Sequence, residues 1–121
     1  MIQNLFITPI YQKNTSYFLN KKQMQFIKTC KRKNNSFNTS SLNSYILDLP
    51  MFKKFKKHIM SDVEEYVYNT LKVDKSVKIF MTQSWFNWTN YSEQHHKHEH
   101  PNSFVSGVYY VDVDPKIDKL F

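Results

Sequence analysis

From position 51 onward the apolar residues fall at helical spacing. Met51, Phe52, Phe55, Ile59, Val63, Tyr66, Val67 and Leu71 recur three and four apart, with lysines between the first of them. This stripe predicts a helix over roughly 50–71, with Pro50 in the first turn, where a missing N–H is tolerated. Residues 77–88 and 104–113 are rich in β-branched and aromatic side chains and read as strands. Residues 4–11 read as a short strand that Pro9 confines to an edge or a bulge. Residues 23–27 suit a helix or a strand, the lysine-rich 28–33 reads as solvent-facing, and 34–44, full of Asn, Ser and Thr, reads as a loop. Together these predict one α+β domain over 1–121: an N-terminal strand, a long covering helix and the beginning of a sheet.

Composition narrows the picture. The chain has 121 residues, 17% of them aromatic, enough for one cored domain and too few for two. No apolar run approaches a membrane span, and the opening residues lack the basic and apolar regions of a secretion signal. A single cysteine, Cys30, excludes an internal disulfide and suits a reducing cytoplasm. The net charge is +7, but only Arg32 among the 17 basic residues is arginine. A nucleic-acid partner is therefore compatible with the charge and only weakly supported, because bidentate phosphate and guanine contacts favour arginine. With one glycine in the chain, turns must use Asn, Asp, Ser and Pro, and Gly107 is expected at a kink or a close backbone approach.

Chemistry concentrates between the two predicted strands. Four of the five histidines occur within His95-His96-Lys97-His98-Glu99-His100. On an extended chain residues two apart share a face, so His96, His98 and His100 would line one side, with Lys97 and Glu99 on the other. Imidazoles at i and i+2 can converge on one metal ion, and their chemistry suits Zn, Cu, Fe or Ni. No thiolate is near, and neither an EF-hand, a Walker motif nor a nucleophile elbow is present.

Three blocks carry a resemblance. Ser84-Trp85-Phe86-Asn87, then His98-Glu99-His100-Pro101-Asn102-Ser103, then Ser106-Gly107-Val108-Tyr109-Tyr110-Val111 resemble the 2-oxoglutarate-Fe(II) oxygenase family. The opening Leu5-Phe6-Ile7-Thr8-Pro9-Ile10-Tyr11 resembles that family's start. The resemblance implies a partial double-stranded β-helix (jelly-roll or cupin-like), Fe(II) and 2-oxoglutarate as cofactors, and hydroxylation of an oxidisable substrate. It places iron on His98, and on His100 in the position of the usual carboxylate, with Glu99 and His96 as the other candidates for the second ligand. Asn87 and Tyr109 become the cofactor-pocket candidates. Tyr109 and Tyr110 point to opposite faces of a strand, so only one can face inward, and Tyr109 is the one favoured.

Against the family pattern, only 21 residues follow His100, with no histidine or arginine among them. The distal histidine and the basic residue that holds 2-oxoglutarate are thus expected outside this sequence, which reads as the N-terminal portion of an enzyme. The other class of function is a small basic protein without catalysis. In that reading Lys21-Lys22 and the lysines of 28–33 and 53–57 contact phosphates, or the histidines bind zinc structurally.

Overall fold

The computed structural model describes residues 8–114 and 116. Its elements are helix α1 (Lys21–Thr29), strands β1 (Arg32–Asn35) and β2 (Asn38–Ser41), helix α2 (Lys53–Glu64) and strand β3 (Asn87–Trp88). The chain is α+β, as expected. The three strands form one antiparallel sheet in the order β1–β2–β3. No helix among the described residues is long and apolar enough to cross a membrane.

Helix α1 resolves the ambiguity at 23–27 through its cap. The Asn20 side chain accepts from the Gln23 N–H at 3.0 Å, and the Asn20 N–H donates back to Gln23 Oε1 at 2.8 Å. This reciprocal pair satisfies two donors that the first helical turn would leave orphaned. Gln23 is itself buried, and its Nε2 donates to the Met51 carbonyl at 2.8 Å, tying α1 to the start of the α2 region.

The predicted long helix is present as three segments of different pitch. Pro50–Phe52 form a 3₁₀ turn, α2 follows, and Glu65–Thr70 widen into a π-helical turn. The stripe behaves as its spacing predicts: Phe52, Phe55 and Val67 are buried, and Ile59, Val63, Tyr66 and Leu71 are half-buried. Phe52 and Phe55 join Ile27 and Ile46 in the core. Phe52 meets Phe26 and Phe86 edge-on, both at 5.7 Å between ring centroids, a favoured aromatic geometry.

Four expectations need correction. Residues 34–44 are not a loop: they contain the β1–β2 hairpin, with Arg32 opposite Ser41 and Asn35 opposite Asn38. Hydropathy hides it because its buried side chains are polar and bonded; Ser41 Oγ donates to the Asn43 carbonyl and accepts from the Phe86 N–H. Of 77–88, only Asn87–Trp88 enter the sheet, with an isolated bridge between Ser84 and Tyr45; 104–113 lie in no ladder among the described residues. Their composition suits a pleated surface, but a strand exists only where a partner accepts its hydrogen bonds. The predicted strand 4–11 falls partly outside the described residues, and 8–11 are irregular. Finally, Gly107 holds no left-handed conformation, and an added Cβ would meet nothing within 4 Å. Ser36, Lys72, Ser92 and Asn102 occupy positive φ instead, at 58°, 57°, 70° and 65°. In so glycine-poor a chain, small polar residues carry most of the conformations that glycine usually serves.

Ahead of α1, residues 9–17 run against α2 and the π-turn. Tyr66 donates to the Pro9 carbonyl, Tyr17 stacks on Phe55 and His58, and Thr15 Oγ1 bonds His58 Nε2 at 2.7 Å. Lys13 donates to Asp62 at 2.8 Å and Glu65 at 3.0 Å. The two carboxylates hold the lysine well above its usual range, and Lys13, through its hydrogen bond, holds the Glu65 carboxyl below its own.

Two outcomes test this packing. Phe52→Ala removes the ring between α1, α2 and the sheet and is expected to cost about 3–5 kcal/mol, read from urea denaturation. Because Glu65 has a depressed folded pKa, its contribution is present above the ordinary carboxylate value of 4.5 and lost as pH falls below it. Lys13→Gln should therefore flatten the fall of melting temperature with pH below that value; an unchanged acid limb would show that the pair contributes nothing.

Candidate metal centre

The sheet's register sets up the site. Ser40 lies opposite Lys33 on one side and Asn87 on the other, so these three share a face. Alternation adds Asn35 and Asn38 to that face, together with Gln83 and Trp85. The opposite face carries Phe86 and Trp88, which meet edge-on at 6.1 Å and pack into the core. Arg32 lies over the Trp88 ring, 4.0 Å from its centroid. The apolar side of the sheet is thus supplied by the half-buried Phe86 and Trp88, while Lys33, Asn35, Asn38, Ser40, Gln83 and Asn87 make the other side polar.

The histidine segment runs across the polar face. A turn closed by the Glu93 N–H on the Asn90 carbonyl leads into it, and another, closed by Ser103 N–H on the His100 carbonyl, leads out. Asn38, buried in β2, donates through Nδ2 to His95 Nδ1 at 2.9 Å and to Thr89 Oγ1 at 3.3 Å, while its Oδ1 accepts from Asn35. An amide nitrogen only donates, so His95 Nδ1 carries the lone pair. Burial first, and then the neighbouring His98, His96 and His100 rings, push His95 below the ordinary imidazole range.

His98 and His100 converge. Their Nε2 atoms are 3.0 Å apart, with ring centroids at 4.6 Å. The His96 carbonyl, which can only accept, takes a hydrogen bond from His98 Nδ1 at 2.8 Å. In neutral His98 the proton is therefore on Nδ1, and Nε2 presents a lone pair, the arrangement that a second-shell carbonyl imposes on a ligating histidine. Two metal–nitrogen bonds of about 2.1 Å at a right angle place their nitrogens about 3.0 Å apart, so this pair fits two adjacent ligand positions on one ion. The His96 ring is 4.9 Å from His98, and its Nδ1 is buried without a partner. No group of three or more His, Cys, Asp or Glu side chains among the described residues is arranged to hold an ion. The fit is thus that of two imidazoles, with no carboxylate beside them.

A cavity of about 190 Å³ opens beside the histidines. Lys33, Asn35, Ser40, Gln83, Trp85 and His98 are among its lining residues, and His95 and His96 also reach it. The Trp85 ring lies 5.6 Å from that of His100. Asn87 shares this face, directly opposite Ser40 of the cavity wall, but does not line the cavity itself. Tyr109 is elsewhere. Its hydroxyl donates to the Tyr17 carbonyl at 2.7 Å and its ring meets Phe55 edge-on at 4.8 Å, whereas Tyr110 is exposed. Tyr109 thus packs toward the core and does not line this cavity. Glu99 is exposed. Sequence reasoning missed Lys33, Asn35 and Ser40 because the hairpin that carries them gives no hydropathy signal; it also missed Gln83 and Trp85, whose even spacing with Asn87 is the signal that could have found them.

With this geometry in view, the comparisons gain meaning. Residues 83–121 match the family model described as Putative 2OG-Fe(II) oxygenase. That stretch includes Asn87, His98, His100 and Tyr109, and it supports the resemblance drawn from the motifs. No curated protein and no solved structure gives a significant match.

Asn38→Ala removes the one side-chain hydrogen bond to His95 found among the described residues. Amide hydrogen exchange across 93–100 is expected to rise while protection in α1 and α2 is kept; equal exchange in both proteins would show that Asn38 does not hold the segment.

Proposed function

We propose that this chain carries the iron-binding segment of a 2-oxoglutarate- and Fe(II)-dependent oxygenase of hydroxylase type, within a double-stranded β-helix. The observation that carries the reading is the 3.0 Å approach of His98 and His100 Nε2 inside the stretch that matches the family. When bound, iron and 2-oxoglutarate supply the oxidative chemistry that no side chain can provide.

The chain's own residues do the rest. His98 would ligate through Nε2 with its Nδ1 proton anchored on the His96 carbonyl. His100 would ligate through its own Nε2, whose proton must first leave or move to Nδ1, so that ion binding competes with protons. Trp85 lies against one side of the His100 ring. Asn87, on the same face of the sheet, supplies an amide able to orient a bound group. Tyr109 would act at a distance, holding residues 104–111 against Tyr17 and Phe55.

Titration of the purified chain with Fe(II) under anaerobic conditions tests the reading. His98→Ala combined with His100→Ala is expected to abolish binding, and each single change to weaken it by about 10–100-fold or more. Wild-type affinity should fall as pH is lowered, because protons compete with the ion for the imidazole nitrogens. Unchanged affinity in the double variant would remove the assignment. Salt-sensitive nucleic-acid binding without Fe(II) binding would favour the basic-protein alternative.

A further inference from the structure

Two large aromatic side chains stand outside the core. Phe37 lies in the β1–β2 turn and Tyr91 in the turn after β3, 57% and 95% exposed, and neither joins the hydrophobic cluster. A turn draws on small polar residues for its backbone, and a ring left in water forgoes the burial it could contribute. The topology brings the two rings to one place. β2 leaves the hairpin turn and β3 runs antiparallel beside it, with Thr39 opposite Trp88, so both turns lie at one end of the sheet. Asn38 ties that end together through Thr89 and His95. Basic groups surround it. Lys31, Arg32 and Lys33 are exposed along the edge strand, and the histidine segment adds exposed Lys97 and Glu99. Arg32 is engaged on Trp88, and Glu93 accepts from the Asn90 backbone and side chain. Lys31, Lys33 and Lys97 form no ion pair among the described residues.

We infer that this end of the sheet binds single-stranded nucleic acid, with bases stacking on Phe37 and Tyr91 and phosphates meeting Lys31, Lys33 and Lys97. A base offers a flat face and each nucleotide a negative charge, so exposed rings among ammonium groups are complementary to such a strand. A duplex keeps its base faces covered, which selects the unpaired form. Lysine suits this partner: a point charge neutralises phosphate without reading sequence, whereas bidentate base contacts call for arginine. The neighbours of the rings, Asn34, Asn35 and Asn90, are polar, and exposed Leu42 lies at the opposite end of β2, so no broad apolar face is present here to enter a bilayer. Helix α2 also exposes Lys53, Lys54 and Lys57, but no ring of its own. The surface stands on the two turns and their charge, independently of the oxygenase reading.

Fluorescence anisotropy of a labelled oligothymidylate of about twelve nucleotides, titrated with the full chain, tests it. Saturable binding is expected, weakening steeply as salt rises from about 50 to 200 mM. Phe37→Ala and Tyr91→Ala should each bind about tenfold more weakly, while Tyr91→Phe, which keeps the ring, binds like wild type. Lys33→Gln should reduce the slope of log affinity against log salt by about 0.7, the share of one phosphate contact. Lys53→Gln combined with Lys54→Gln, on α2, should leave affinity unchanged. The inference is overturned by an absence of saturable binding, by a duplex bound as tightly as the single strand, or by affinity that depends on the α2 lysines and not on the rings. Anionic phospholipid vesicles bound through the same rings in preference to the oligonucleotide would overturn it too. Oligonucleotide binding through the rings in a chain that takes no Fe(II) keeps this surface and ends the oxygenase reading; Fe(II) binding through His98 and His100 without oligonucleotide binding does the reverse.

Discussion

The register of β2 against β3 is the constraint on which the rest depends. With Ser40 opposite Asn87 and Thr39 opposite Trp88, Phe86 and Trp88 fall on the core side, and Gln83, Trp85 and Asn87 fall on the polar side. A slip of one residue would exchange the two sets, burying amides under Phe52 and exposing the aromatic rings. The aromatic packing of Phe52 against Phe86 therefore does two things. It contributes apolar burial to a small core, and it fixes which face receives the histidines.

On the polar side the ordering forces are hydrogen bonds. Asn38 is buried with its amide shared among Asn35, Thr89 and His95, so its desolvation is offset only if all three partners stay in place. The same logic sets the tautomers: a backbone carbonyl at His98 Nδ1 and an amide at His95 Nδ1 assign opposite proton positions to two rings 4.6 Å apart. His98 is left with its lone pair toward His100.

Both strand-like stretches show why composition alone misleads. Residues 104–113 alternate as a strand would, with Tyr109 and Val111 against the core and Val108 and Tyr110 exposed. Side-chain preference thus governs which residues face inward even where no ladder forms. In the hairpin the relation is reversed: its sequence favours turns, yet pairing makes strands of it, because Ser and Asn can satisfy one another and the neighbouring backbone when buried.

The sequence by itself determined the α2 region, whose apolar stripe follows from steps of three and four residues, and set His98 and His100 one residue apart. Only the tertiary structure decided the β1–β2 hairpin, the placing of Lys33 beside the histidines and the removal of Tyr109 from the cavity. The hairpin itself closes locally, but what it carries and where Tyr109 lies depend on pairings 47 and 92 positions apart, Ser40 with Asn87 and Tyr109 with Tyr17. No local pattern encodes which distant partner satisfies a buried polar group; that follows from the register chosen when the aromatic core closes.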